Sequence, residues 1–296
     1  MSNLLKTSFV FCAAFPVMLF ALLFIFQPPD VSSYSAIIQE NKLFMNSSNV
    51  YEIASKGILW LIGQIFSDVM VPLIFSCAFV LLLCVHLDTV LVRKIYLVLI
   101  LGIYFGENFL FNQIRMVYGL PFFSLWLIYQ DKKYAWFYLV IAVFFHMAFL
   151  LPLLLYFASS RKIFPFMALT ILGSSFYLSE IIEFASILQK VRTYAIIEGQ
   201  STFIILRMSI LLLFVLFLKK GSIRLYNNQL FRMYLLTFLS VIVLYDYLPV
   251  IFGRMSSLIV LTEPFLITQL TNQKYAYILY AVVLIILGGI NLWLRY

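Results

Sequence analysis

Long apolar runs, separated by short polar or basic segments, fill almost the whole length of this chain. Runs near 9–26, 68–86 and 275–294 are long enough to cross the hydrocarbon core of a bilayer as helices. With 64% hydrophobic and 11% charged residues, the chain cannot be a soluble globular domain, in which typically about half of the residues are apolar. The sequence therefore predicts an all-α, polytopic integral membrane protein.

The basic residues indicate how the chain crosses the membrane. The formal net charge is +8, but the Lys and Arg residues lie in short clusters between apolar runs, not along one exposed face of the kind that binds nucleic acid. By the positive-inside rule, such clusters mark cytoplasmic loops. They are Arg93-Lys94, Lys132-Lys133, Arg161-Lys162 and Lys219-Lys220. We expect a cytoplasmic N-terminus, a single transmembrane domain over 1–296 with roughly ten transmembrane or half-spanning helices, and extracytoplasmic loops near 27–67 and 180–202.

The apolar stretch 134–158 has two interpretations. As one tilted helix it would cross the bilayer once, but the basic clusters at 161–162 and 219–220 would then lie outside, against the positive-inside rule. As two short limbs that turn near His146 and continue through Pro152, it would keep every cluster inside. Broken helices at membrane depth occur where they are buried in protein or line a watery cavity. The second interpretation thus predicts a cavity with His146 at its floor.

On this topology four residues with functional chemistry lie on the extracytoplasmic side: Arg115, His146, Arg192 and Arg254. Charged and titratable groups are costly in so apolar a chain, and such groups usually have a function. Arginine binds phosphate or diphosphate bidentately and stays charged. Histidine can move a proton or donate to a phosphate oxygen. In contrast, Arg207 lies near the outer end of an apolar run, where snorkelling to the interface is the ordinary explanation.

Metal and cofactor chemistry have no support in the sequence. Cys12, Cys77 and Cys84 all lie within apolar runs without metal-binding spacing, and no paired acidic or His-carboxylate motif for a divalent cation occurs. Glu52, in the first outside loop, is the one acid that we nominate as a base or substrate ligand. Arginines alone would then neutralise a leaving diphosphate, which favours metal-independent chemistry on a lipid-diphosphate substrate.

Several of these residues lie in a recognisable pattern. Asn112-Gln113-Ile114-Arg115 is followed by an apolar, glycine-containing helix, a Lys-Lys turn, a second apolar helix and Phe145-His146. The pattern resembles the EpsG-like group of Wzy-type oligosaccharide repeat-unit polymerases, and weaker similarity includes Tyr51-Glu52 and Gly253-Arg254. The resemblance covers most of the chain from about 50 to 270, although Met147 stands where this group has a polar or small residue.

The resemblance implies a bacterial inner-membrane polymerase with a GT-C-like helical fold. Such an enzyme joins undecaprenyl-diphosphate-linked repeat units of O-antigen or other surface polysaccharides on the periplasmic side. It implies that Arg115 and Arg254 bind the diphosphate and that His146 and Glu52 are catalytic. Asn112, from the same motif, and Arg192, from the topology alone, complete the predicted diphosphate site. A chain-length regulator and a flippase are the implied protein partners.

Other functions would require different features. A lipid-linked oligosaccharide flippase or other transporter would carry cations at the bilayer midplane and often shows an inverted repeat. An acyltransferase would need a histidine and an arginine pair at the N-terminal helix, which offers neither. An O-antigen ligase uses the same lipid-diphosphate chemistry with another acceptor. The motif resemblance favours the polymerase over the ligase.

Overall fold

The computed structural model describes part of the chain, and every regular element in that part is helical, as expected for an all-α protein. The described residues are 57, 114–130, 132–177, 201–218, 222–244, 256, 258–259, 261–270, 278–280, 282–283 and 286. Among the helices in these ranges, none combines the length and the apolar character needed to cross a membrane. Two compact units are distinguished, Met1–Leu150 with Tyr277–Tyr296, and Leu151–Ala276. The single domain expected over 1–296 stays a prediction.

The first unit contains an antiparallel helical hairpin. A single turn, α1 (Ile114–Val117), precedes α2 (Leu120–Tyr129) and α3 (Ala135–Phe145). Pro121 lies in the first turn of α2, where a proline needs no hydrogen-bonded N–H. Two stacked aromatic pairs fix the pairing of the hairpin. They are Tyr129 on Tyr138 at 5.9 Å and Phe122 on Phe145 at 4.9 Å between ring centroids. The segment preceding α2 and the end of α3 therefore meet at the same end of the hairpin.

The stretch 134–158 is broken at His146. Helix α3 ends at Phe145, His146 is extended (φ −158°, ψ 125°), and a 3-10 helix over Met147–Phe149 leads into α4 (Leu150–Ala158). In a continuous helix, Pro152 would clash with the carbonyl group of Ala148, four residues earlier, and would lack the N–H for that hydrogen bond. A turn ahead of the proline removes this conflict. The predicted break is confirmed, and a single continuous helix over 134–158 is ruled out. That the stretch turns back to the side from which it entered stays a prediction.

The second unit is built around α8. Its helices are α4, α5 (Phe164–Ser174), α6 (Ser201–Leu218), α7 (Ser222–Asn227), α8 (Gln229–Leu244) and α9 (Glu263–Leu270). Helices α5 and α6 both pack on α8, and α6 also packs on α9. A 3-10 helix, Ser175–Tyr177, extends α5. A turn at 261–262 directly precedes α9.

Candidate functional site

The end of the hairpin that carries His146 also carries the backbone of Arg115. Arg115 lies in α1, and Gly119, at the start of α2, lies against the ring of Phe149 in the 3-10 helix. The same end is closed by the stacked rings of Phe122 and Phe145. Two residues that are 31 positions apart in the sequence are thus carried by segments that pack together.

His146 is held by its own turn. Its backbone N–H donates to the carbonyl oxygen of Ala142, and its carbonyl oxygen accepts from the N–H of Phe149, both at 3.0 Å. Its ring Nδ1 accepts from the backbone N–H of Ala148, also at 3.0 Å. The imidazole therefore caps the 3-10 helix as a side-chain acceptor caps the first N–H groups of a helix. With 5% of its surface exposed, the residue is part of the packed interior.

This cap assigns the two ring nitrogens different tasks. A backbone N–H can only donate, so the Nδ1 that accepts from Ala148 carries no proton in this geometry. The neutral imidazole then carries its proton on Nε2. Through Nε2 the ring is a hydrogen-bond donor, suited to an anionic oxygen. Nδ1 is already used as the acceptor that caps the 3-10 helix.

The structure does not describe the side chains of the other predicted site residues. Glu52, Asn112, Arg192 and Arg254 lie outside the described residues, and of Arg115 only the backbone is described. Their roles remain predictions. No group of three or more metal-ligating side chains occurs among the described residues, and the absence of a metal remains a prediction too.

A second polar cluster, in the other unit, was not predicted. Arg207 on α6 donates from Nη2 to Oε1 of Glu263 on α9 at 2.8 Å, and Tyr234 on α8 donates its hydroxyl to the same oxygen at 3.0 Å. All three residues are buried, so the prediction that Arg207 snorkels is wrong. An acid and an arginine in separate apolar runs were the signal that could have found the pair, because ionisable groups in such runs usually face one another.

A second buried arginine, Arg232 on α8, binds backbone instead of an acid. Its Nε donates to the carbonyl oxygen of Ser159 at 2.6 Å, and its Nη1 donates to that of Tyr226. The guanidinium also lies 5.8 Å from the ring centroid of Tyr226, within cation–π range. Nearby, Gln229 donates to the carbonyl oxygen of Tyr156 at 2.9 Å. The start of α8 thus satisfies carbonyl groups at the end of α4, which a helix leaves without partners.

The comparisons with known proteins agree with the residue pattern. The model of the EpsG family matches residues 8–296, nearly the whole chain. Comparison with curated proteins and with solved structures gave no match. A family match of this extent covers the His146 hairpin and the Arg207–Glu263 cluster alike. The chain belongs to the EpsG family, a membrane-associated family of Wzy-like exopolysaccharide polymerases.

Proposed function

We propose that this protein polymerises undecaprenyl-diphosphate-linked oligosaccharide repeat units on the extracytoplasmic face of the bacterial inner membrane. The growing glycan is the donor, and a newly flipped lipid-linked unit is the acceptor. The products serve surface polysaccharide or O-antigen biosynthesis, with a flippase and a chain-length regulator as partners. The observation that carries the proposal is the family match over 8–296, together with a histidine held in a helix break next to the segment that bears Arg115.

The proposed reaction breaks the bond between the anomeric carbon of the donor glycan and its diphosphate oxygen. A hydroxyl oxygen at the non-reducing end of the acceptor unit forms the new glycosidic bond, and undecaprenyl diphosphate leaves. Glu52 receives the hydroxyl proton as general base. Arg115, Arg192 and Arg254 neutralise the leaving diphosphate without a metal, and Asn112 donates a further hydrogen bond.

His146 has a defined part in this scheme. Because its Nδ1 accepts from the backbone of Ala148, its Nε2–H is the group that we assign to an oxygen of the diphosphate. A donor aimed at the position where negative charge develops stabilises the transition state. Burial strengthens such an interaction because the surrounding dielectric is low.

The test is complementation in a host from which the gene has been deleted. Arg115→Ala and His146→Ala are returned on plasmids, and the surface polysaccharide ladder is compared with the amount of protein in the membrane. We expect both variants to be present and to leave a single repeat unit on the lipid anchor. Arg161→Ala is the matched control, since this arginine is exposed and lies in the other unit.

The form of the ladder separates this function from its rivals. A flippase variant would stop lipid-linked units from reaching the outer face, so no repeat unit would be added to the surface. A ligase variant would leave full-length polymer on undecaprenyl diphosphate. Normal ladders from both Arg115→Ala and His146→Ala would exclude this site from the reaction.

A further inference from the structure

The ring of Phe149 occupies the space that a side chain at position 119 would need. A Cβ atom added at Gly119 would lie 2.2 Å from Cε2, 2.8 Å from Cδ2 and 2.9 Å from Cζ of the Phe149 ring. The ring is fully buried and lies 5.8 Å from the ring of Phe123 on α2. Closely packed interiors have few voids, so a ring that is pushed aside would have to shift its neighbours as well. Any side chain at position 119 therefore displaces Phe149.

A displacement of Phe149 would be transmitted to His146. The N–H of Phe149 donates to the carbonyl oxygen of His146, and the N–H of the intervening Ala148 donates to Nδ1 of the ring, both at 3.0 Å. The position of the imidazole and the position of Phe149 are thus set by the same three-residue 3-10 helix. Gly119 itself follows α1, the turn that carries Arg115. The contact joins the two segments of the candidate site.

We propose that Gly119 is a positioning residue for the polymerase reaction. Because Gly119 has no side chain, the Phe149 ring can pack against its backbone. The packed ring fixes the turn that orients the Nε2–H of His146. The inference rests on the proposed function, because it assumes that His146 acts on the lipid diphosphate. It assigns Gly119 and Phe149 no contact with the substrate.

The test measures the polymerisation rate of the full-length protein in membrane preparations, per amount of protein, with the host's own lipid-linked repeat unit as substrate. We expect Gly119→Ala to lower the rate about 10²-fold, since a displacement of about 1 Å has an effect of that size on catalysis. Adding Phe149→Leu, which lacks the Cε and Cζ atoms, should restore it to within about threefold of wild type. Gly173→Ala is the matched control: an added Cβ there meets nothing within 4 Å, and we expect a wild-type rate.

A double-mutant cycle tests whether Gly119 acts through His146. If it does, Gly119→Ala should cause no further loss in a His146→Asn background, because the group that it positions is already gone. A further loss of the full 10²-fold would overturn the positioning role while leaving the proposed function intact. A wild-type rate for His146→Asn would exclude His146 from the reaction and overturn this inference. A wild-type protein that does not polymerise the lipid-linked unit would instead overturn the proposed function.

A variant that does not accumulate still leaves a test. If Gly119→Ala is missing from the membrane, Phe149→Leu alone is compared with Phe149→Leu/Gly119→Ala. Leucine fills less space beside Gly119 than phenylalanine, so we expect Phe149→Leu to polymerise about threefold more slowly than wild type. The methyl group of Gly119→Ala should fill that space again and raise the rate of the double variant. A lower rate in the double variant would overturn the proposal.

Discussion

Arg207 and Glu263 form an ion pair with 2.8 Å between Nη2 and Oε1, in which the carboxylate is fully buried and the arginine is 8% exposed. The pair joins α6 to α9, and the hydroxyl of Tyr234 adds α8 to the same carboxylate oxygen. Removing one member of a buried pair leaves the other charge without compensation in a medium of low dielectric. The cluster therefore holds three helices of one unit in register.

We expect Glu263→Gln to destabilise the protein by about 3–5 kcal/mol, since the shape of the side chain is kept and only its charge is lost. Unfolding of the purified full-length protein in detergent, followed by circular dichroism, measures the change. The double variant Arg207→Met/Glu263→Leu should be more stable than Glu263→Gln, because no unpaired charge remains. If the double variant were the less stable of the two, charge compensation would not be the role of this pair.

Tyr234→Phe is a milder change at the same cluster. It removes one hydrogen bond to a charged acceptor, made at 3.0 Å, and keeps the packed ring and the ion pair. We expect a loss of about 1.5–3 kcal/mol, smaller than that of Glu263→Gln, in the same unfolding measurement. An equal or larger loss would mean that the phenol contributes more than this single bond.

The sequence predicted the break at His146 but not the arrangement around it. Positive charge near 161–162, together with Pro152, was enough to favour a turn, because both are properties of the local chain. The packing of the Phe149 ring on Gly119 depends on how closely α2 approaches the 3-10 helix. Only tertiary packing fixes that distance. Many glycines are compatible with a helix start, and the sequence does not show which of them has an aromatic ring packed against its backbone.

The contacts of Arg207 and Arg232, too, are set by tertiary packing and not by the local sequence. Arg207 looked like a residue at the end of a span because its partner is 56 positions away and no spacing rule joins them. Arg232 lies at the start of α8, and its acceptors are backbone carbonyl groups, which every residue has and no sequence pattern reveals. Membrane association and the family, in contrast, follow from composition and from short motifs, and the family match confirms both.

Arg232 should be sensitive even to a change that keeps its charge. Lysine has one ammonium group, which cannot serve the carbonyl groups of Ser159 and Tyr226 with the fork geometry of a guanidinium. We expect Arg232→Lys to destabilise the protein by about 1–3 kcal/mol, the cost of leaving one buried acceptor unsatisfied. Lys162→Ala, at an exposed position, should leave the unfolding curve unchanged. Equal curves for both variants would contradict the capping role.

The break at His146 makes the topology testable. If 134–158 turns back instead of crossing, Lys132 and Lys162, both exposed, lie on the cytoplasmic side. With Cys12, Cys77 and Cys84 replaced by serine, we expect Lys132→Cys and Lys162→Cys to react with a membrane-impermeant maleimide in inverted vesicles and not in right-side-out vesicles. Opposite labelling of the two positions would mean that the segment crosses the membrane despite its broken helix.

The last prediction separates a hydrogen-bond donor from a proton carrier at His146. Asparagine places an acceptor near the position of Nδ1 and is a favoured cap, so His146→Asn should keep the bond from the N–H of Ala148 and lose the donor at Nε2. Glutamine places an amide N–H near the position of Nε2 but cannot exchange a proton at neutral pH.

We therefore expect His146→Gln to retain a measurable polymerisation rate, and His146→Asn to be about 10²-fold slower than wild type although it is as stable, a loss typical of removing one oxyanion donor. Rates per amount of protein and unfolding temperatures are measured for both variants. If both proteins are stable and equally inactive, proton transfer by the imidazole is required, and a hydrogen bond to the diphosphate is not a sufficient account of His146. A stable His146→Gln that outperforms His146→Asn would instead assign the catalytic contribution to the Nε2–H, because that group is the feature which glutamine preserves and asparagine lacks.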